Sequence, residues 1–424
     1  MKKTGKILIS LLLLTALMVN TTGCGLIKEY ETIKNAGLKV ETNPLKEIDK
    51  APSNDFTENL ADFSLALFKK SINDRDNSLI SPLSVMLALS MAANGADNET
   101  LQQMERLLGG KLSIDELNEY LGDYAKGLPS DEVAKLGIAN SIWLNKSKGD
   151  FQAAPDFLQK NTEYFGAEIN SATFDNQTLK DINNWISTNT DGMINNALPT
   201  IDPDAMIYLI NAVVFDAEWQ EAYSKYNIKE GFFFDGSDTA QKVDFMYSYE
   251  YQRLDDGKAI GFIKPYAGGT YSFVALMPNH DVLLDDYIAS LDGEGFLDTL
   301  NNARATTFYA GIPKLEFKYE KKMKDVLADL GMSDAFDPYS ADFSKMTTPS
   351  NGDLYINEVL HKTYLSLDEK GTKAGAATIS DAPMSPPGGN SDDVEMIKLD
   401  RPFVFSIIDN STNLPIFMGV VKTV

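Results

Sequence analysis

The 424-residue chain contains one cysteine and two histidines. A single thiol cannot close an intramolecular disulfide, and a His/Cys zinc site needs about four such ligands. The sequence therefore leaves almost no room for a disulfide framework or a His/Cys metal centre, and no metal or cofactor is expected. Positive charge is also short: 38 Lys and Arg stand against 61 Asp and Glu, for a formal net charge of −23. Nucleic-acid binding needs basic footprints that neutralise phosphates, so that partner is not expected. Gly (29) and Pro (17) are unremarkable in number, which removes collagen-like and low-complexity classes. The remainder is a globular composition, 43% hydrophobic and 10% aromatic, long enough to bury a sizeable core. Length alone suggests about three domains.

Catalytic motifs are missing as well. The Gly-x-Ser-x-Gly elbow, the phosphate-binding P-loop, the dinucleotide-binding glycine fingerprint and His-Glu-x-x-His do not occur. Asp202 and Asp204 flank Pro203 without the rest of a calcium loop. Carboxylates are plentiful, yet no acid–base pair stands out. His280 lies in a turn sequence, Pro278-Asn279-His280-Asp281, and His361 at the start of a strand-like run. A lone histidine in a strand is more often a satisfied structural residue than a catalyst. No enzyme is expected.

The N-terminus reads as an address. Lys2, Lys3 and Lys6 precede an apolar run from Ile7 to Val19, too short to span a bilayer comfortably. Thr21-Thr22-Gly23-Cys24 follows. Small residues before a cysteine resemble a bacterial lipobox, where cleavage precedes the cysteine and the thiol takes lipid. Thr21 departs from that pattern, which prefers Leu, Val or Ile; an ordinary signal peptide with an incidental Cys24 is the alternative. Residues 1–23 are expected to be a lipoprotein signal peptide, and 24–54 a lipidated Cys24 and flexible tether with one helical turn around Tyr30 to Leu38. The globular domain is expected over 55–424. The expected location is the cell surface of a bacterium, extracellular and lipid-anchored through Cys24, or secreted if Cys24 is not lipidated. Loss of three lysines with the signal leaves a charge of −26.

Within the body, Phe56, Leu60, Phe63 and Leu67 fall on one helical face. Leu83 to Ala93 is apolar nearly all round, which predicts burial on every side. Thr100-Leu101-Gln102-Gln103 has the form of a capping box ahead of Leu101, Met104 and Leu108. Further helical patterns include Leu179, Ile182, Trp185 and Ile186, and Met323, Val326, Leu327 and Leu330. Strand-like runs cover 205–216, 231–235, 271–278, 305–319, 358–368, 401–409 and 415–424. Helices crowd the first half and strands the second, with no fixed repeat, so the fold class is α+β in one large domain.

One segment stands out. Residues 369–378 read Glu-Lys-Gly-Thr-Lys-Ala-Gly-Ala-Ala-Thr, and a Pro- and Gly-rich stretch continues to Asp393. More than twenty such residues between two strand regions are uncommon in a compact domain and are usually functional or disordered. In a strand, Thr372, Ala374, Ala376, Thr378, Ser380 and Ala382 share one face, and Lys373, Gly375, Ala377, Ile379 and Asp381 share the other. The even-numbered face is small throughout, and the odd-numbered face holds both charges. Such a strand can enter an existing sheet over a filled core.

These features together resemble the serpin (serine protease inhibitor) family, from about Phe56 to Val424. The motifs are Asn77-Ser-Leu-Ile-Ser81-Pro82-Leu-Ser84, Ala139-Asn140-Ser141-Ile142-Trp143, Asn211 to Trp219, Leu330 to Phe336, Ala341 to Met346, Glu369-Lys-Gly-Thr372, Arg401 to Phe405 and Phe417-Met-Gly419. The resemblance implies three β-sheets, about nine helices and an exposed reactive-centre loop. It assigns Ser81, Ser84, Asn211 and His361 to a polar shutter beneath the centre of the main sheet. Trp219, Lys314 and Glu369 are assigned to the breach at its top, the last two as a salt bridge. The loop hinge comprises Glu369, Gly371, Thr372, Ala374, Ala376, Ala377 and Thr378.

The resemblance implies a suicide-substrate inhibitor. A serine protease attacks the loop and forms an acyl-enzyme. The cut loop then inserts into the main sheet and carries the tethered protease away. Lys373 and Gly375 depart from the family's usual Glu and Ala but lie on the odd-numbered face. Counting along the loop reaches Ser385, yet Ser385-Pro386 is a poor site because Pro restricts the backbone. Met384-Ser385 is the expected reactive bond. An unbranched apolar Met there fits elastase-, chymotrypsin- or subtilisin-like proteases. A monomer is expected. The role of Pro386–Asp393, longer than the family's usual stretch, stays open. So do two alternatives: a non-inhibitory serpin, and an extracellular solute-binding lipoprotein, which would have two domains and a ligand cleft.

Overall fold

The computed structural model describes residues 31–32, 53–149, 152–237, 239–348, 354–372 and 394–424. Among these lie nine α-helices: α1 (Asn54–Ser71), α2 (Pro82–Ala93), α3 (Asn98–Leu108), α4 (Ile114–Gly127), α5 (Pro155–Phe165), α6 (Asn176–Asn189), α7 (Leu284–Ser290), α8 (Gly293–Asn301) and α9 (Lys324–Asp329). The main sheet has seven strands: β1 (Glu31–Thr32), β3 (Ala134–Asn145), β5 (Glu168–Ala172), β6 (Ile207–Glu218), β12 (Leu315–Lys322), β14 (Ile356–Leu367) and β15 (Gly371–Thr372). Its order is β1-β5-β3-β6-β15-β14-β12. A second sheet has nine strands: β2 (Ser78–Ile80), β7 (Ile228–Phe234), β8 (Ala240–Asp255), β9 (Ala259–Pro265), β10 (Tyr271–Pro278), β11 (Arg304–Pro313), β16 (Met396–Lys398), β17 (Phe403–Asp409) and β18 (Pro415–Val421). A two-stranded ribbon, β4 (Gln152–Ala153) with β13 (Thr347–Thr348), is the third sheet. The expected α+β class with three sheets and nine helices is present, although one of the sheets is only this ribbon.

Every residue of α2 is buried, because the helix packs against β6 of one sheet and β18 of the other. Pro82 at its first turn supplies the fixed φ and needs no hydrogen bond there. Phe56, Leu60, Phe63 and Leu67 of α1 are all buried, each such side chain contributing about 1.5–3 kcal/mol of transfer free energy. The other face of the main sheet is covered by α6. There Ile182, Trp185 and Ile186 pack with Trp143, Ile210, Ala212 and Leu360 in a separate apolar cluster.

Four local expectations are corrected. The run 305–319 is two strands, β11 and β12, which pair with different partners in different sheets; Lys314 makes the break. Helix α3 begins before Thr100: Asp97 is the N-cap, its side chain accepting from the Asn98 amide. Within the helical turn expected over Tyr30 to Leu38, Glu31 and Thr32 instead form an edge strand against Ser171 and Asn170, and the rest of that stretch lies outside the described residues. His361 lies in the middle of β14 rather than at its start. The single-body architecture leaves no place for the two-domain solute-binding alternative.

Candidate functional site

The centre of the main sheet is where β6 and β14 meet. The two strands pair in parallel from Ile207 with Ile356 to Ala212 with Lys362. Above that level they separate, and β15 lies between them. Gly371 and Thr372 pair antiparallel with Glu218 and Ala217, and Thr372 also pairs with Leu367. Gly371 and Thr372 thus occupy the top of a gap that is closed lower down. Gly371 must be glycine: a Cβ there would lie 1.9 Å from the Ala217 carbonyl oxygen. Thr372 is buried, and its hydroxyl hydrogen-bonds to the Tyr266 hydroxyl beneath. The even-numbered face therefore starts inward, as its small side chains require.

The breach is built around Trp219, 3% exposed. Its indole N–H donates to the Asp368 carbonyl at 2.9 Å and its amide to the Lys370 carbonyl at 2.7 Å. Its ring stacks on Tyr266 with centroids 4.6 Å apart and planes 5° from parallel. Tyr223 completes the grip, its amide donating to the Glu369 carbonyl at 2.9 Å. Burial pushes the Tyr266 hydroxyl far above its usual range, so it stays protonated and can serve Thr372 as donor or acceptor. Lys314 Nζ lies 2.6 Å from Glu369 Oε2, with side chains 32% and 24% exposed. That pair and its hydrogen bond hold the Glu369 carboxyl below the usual range against the opposing effect of burial.

The shutter residues lie lower in the same gap. Asn140, Asn211 and His361 stand side by side on β3, β6 and β14. Ser84 of α2 donates to Asn211 Oδ1, and Asn211 Nδ2 donates to Asn140 Oδ1 at 2.6 Å. His361 Nε2 accepts from the Ser81 backbone amide at 3.0 Å. Beside it, the Thr363 hydroxyl donates to the Leu79 carbonyl at 2.7 Å. Ser81 Oγ and His361 Nδ1 have no hydrogen-bond partner among the described residues. Desolvation of the fully buried imidazole lowers its pKa to about 3, so His361 is neutral and works as an acceptor. The cluster can lose contacts to one strand and make them to another.

Seven of the anticipated positions therefore fall into two groups along one seam: Trp219, Lys314, Glu369, Gly371 and Thr372 at the top, with Asn211 and His361 at the centre, backed by Ser81 and Ser84. Ala374, Ala376, Ala377, Thr378, Met384, Ser385 and Cys24 lie outside the described residues. Three participants escaped the sequence reading. Asn140 sat in a quoted motif, but its role follows only from strand register. Tyr266 and Thr363 carry no local signal and are identified by what they touch.

The chain matches the family model described as serpin (serine protease inhibitor) over residues 58–423. It is 28% identical to human Serpin B4 over 394 residues, covering 86% of this chain and 98% of that protein. It is 29% identical to the leukocyte elastase inhibitor of Xenopus tropicalis over 376 residues, covering 84% and 96%. Among solved structures it resembles the thermophilic serpin tengpin in the native state, with TM-score 0.84 and 50% identity, covering 88% and 96%. Against tengpin in the latent state the TM-score is 0.77 at 47% identity, covering 88% and 99%. The hinge, breach and shutter are thus set in a chain that belongs to the serpin family of serine protease inhibitors.

Proposed function

We propose that this protein inhibits serine proteases as a suicide substrate, using the seam between β6 and β14 as the receiving slot. The observation that carries this reading is the hinge: Gly371 and Thr372 already occupy the top of the seam, while the strands pair directly below. Continuing that register is informative. Six residues beyond Thr372 is Thr378; six back from Ala217 is Asn211, and six back from Leu367 is His361. Two independent registers thus bring Thr378 between Asn211 and His361, which now pair with each other. A hydroxyl arriving there can replace the bonds that parting the strands breaks.

In this mechanism the protease supplies the nucleophile. Its serine attacks the loop at Met384-Ser385, and the acyl-enzyme forms. Residues 371–383 extended at ~3.3 Å each reach ~43 Å, about the length of β6. Their amides then gain ladder partners, and small side chains cover the core. The protease, dragged along, loses the alignment that deacylation needs; ~1 Å of misplacement can cost ~100-fold. A Met before the cut suits elastase-, chymotrypsin- or subtilisin-like pockets. No helix among the described residues is long and apolar enough to cross a membrane. Residues 1–23 act as the signal, residues 24–54 as the tether, and lipid on Cys24 holds a monomeric inhibitor at the outer surface of a bacterial membrane. No cofactor takes part.

The direct test mixes the protein with pancreatic elastase, chymotrypsin and subtilisin and resolves the products by denaturing electrophoresis. A complex that survives SDS is expected with at least one of them, together with a released peptide beginning at Ser385. Cleavage of the loop by all three without any complex would make the protein a substrate rather than an inhibitor.

A further inference from the structure

The second sheet carries a buried ion pair against the breach for which the hinge and shutter give no reason. Lys264 Nζ of β9 lies 2.6 Å from Glu250 Oε1 of β8, with side chains 3% and 5% exposed. Glu250 Oε1 also accepts from Ser248 Oγ at 2.5 Å. Buried pairs give little net stability, and apolar replacements of similar shape are often tolerated or better. Stability alone therefore does not account for two charges here.

Position does. The Lys264 ammonium lies 5.3 Å from the centroid of the Trp219 ring and 4.6 Å from that of Tyr223. These are cation–π distances, and the attraction is greatest where water is excluded. Trp219 and Tyr223 in turn hold the hinge. Their backbone and indole N–H groups bind the carbonyls of Asp368, Glu369 and Lys370, and Trp219 stacks on the Tyr266 that bonds Thr372. One cation thus touches both aromatic rings that fix the start of the loop. Beside it lies a cavity of about 120 Å³ lined in part by Gln220, Glu221, Gln252, Glu250 and Lys264. An ammonium released from Glu250 has space to leave the rings.

We propose that Lys264, anchored by Glu250, is a positioning residue for Trp219 and Tyr223 and so sets how readily the seam opens to accept a strand. This rests on the insertion reading above. The test needs no protease. A synthetic peptide with the sequence of residues 372–383 is incubated with the intact protein, and its uptake is followed by native gel shift and by the rise in thermal midpoint. Lys264→Met and Glu250→Gln should each speed uptake about tenfold, the order that loss of a buried cation–π contact allows. The double variant should be no faster than Lys264→Met, because both changes act through one ammonium. Lys264→Arg, which keeps the cation, should stay within about threefold of the parent. Trp219 emission should shift in Lys264→Met and not in Lys264→Arg.

A parent that takes up peptide while every variant matches its rate within about twofold overturns the proposal, even if their melting points fall. Independent, additive effects of the two single changes also overturn it. Should Lys264→Met fail to fold, Glu250→Gln and Lys264→Arg still decide. A parent that takes up no peptide, and gains no heat stability when its loop is cut, overturns the insertion reading and this proposal with it.

Discussion

His361 is a base that the fold keeps uncharged. Its pKa is about 3 in the folded protein, through burial, against about 6.5 when exposed. The unfolded chain therefore binds a proton between those values that the folded chain does not. The contribution is fully present above pH ~6.5 and falls as the pH drops through that window, by up to ~1.4 kcal/mol per unit. Denaturant midpoints at pH 7 and pH 5 should differ more in the parent than in His361→Gln, whose side chain does not titrate. Equal differences would place the acid sensitivity elsewhere. Thr372 makes a second prediction. Its buried position over Tyr266 has no room or partner for a charge. Thr372→Arg should convert the inhibitor to a substrate: loop cleavage continues, SDS-stable complexes fall at least about tenfold, and the reason is an unpaired charge at the first inserting residue. The Lys314–Glu369 pair is partly exposed and is worth at most ~1 kcal/mol. Glu369→Gln should leave the native melting point within a few degrees while raising the rate at which the intact protein loses inhibitory capacity on storage.

At the scale of elements, the sequence pattern of the hinge can be compared with the structure only at Gly371 and Thr372. Of its small even-numbered face only Thr372 lies among the described residues, and it faces the core. Buried α2 was plain in the sequence, since a helix apolar on all sides has only one environment. Elements set by partners rather than by their own pattern were not legible. Residues 305–319 form one strand-like run, but β11 and β12 belong to different sheets. The sixteen-residue β8 carries Asp244, Glu250 and Arg253 among its tyrosines, so alternation is weak; Glu250 is tolerable because Lys264 sits opposite. The polar row Asn140, Asn211 and His361 exists only through register across three strands. That register yields a prediction for one element in two states. Thr378→Val should leave the melting point of the intact protein unchanged and lower that of the loop-cleaved form, because the proposed inserted register brings the hydroxyl to Asn211 and His361. Equal melting points for cleaved parent and variant would contradict the register.

At the scale of the whole molecule, length suggested about three domains, and the fold shows why that estimate fails. Two large sheets share α2 as a common core helix, so no surface divides the body. The poverty in histidine and cysteine is compatible with the proposed mechanism, in which the target protease supplies the nucleophile. The proposed mechanism requires metastability: a sheet that accepts one more strand has not reached its most stable arrangement. On the proposed mechanism, a cut between Thr372 and Val394 frees that strand to enter. The most direct measurement is the thermal unfolding midpoint before and after a single cut in the loop, made by limited proteolysis and confirmed by mass. The account predicts a rise of tens of degrees in the cut protein. An unchanged or lower midpoint, with the cut confirmed within residues 373–393, would contradict it.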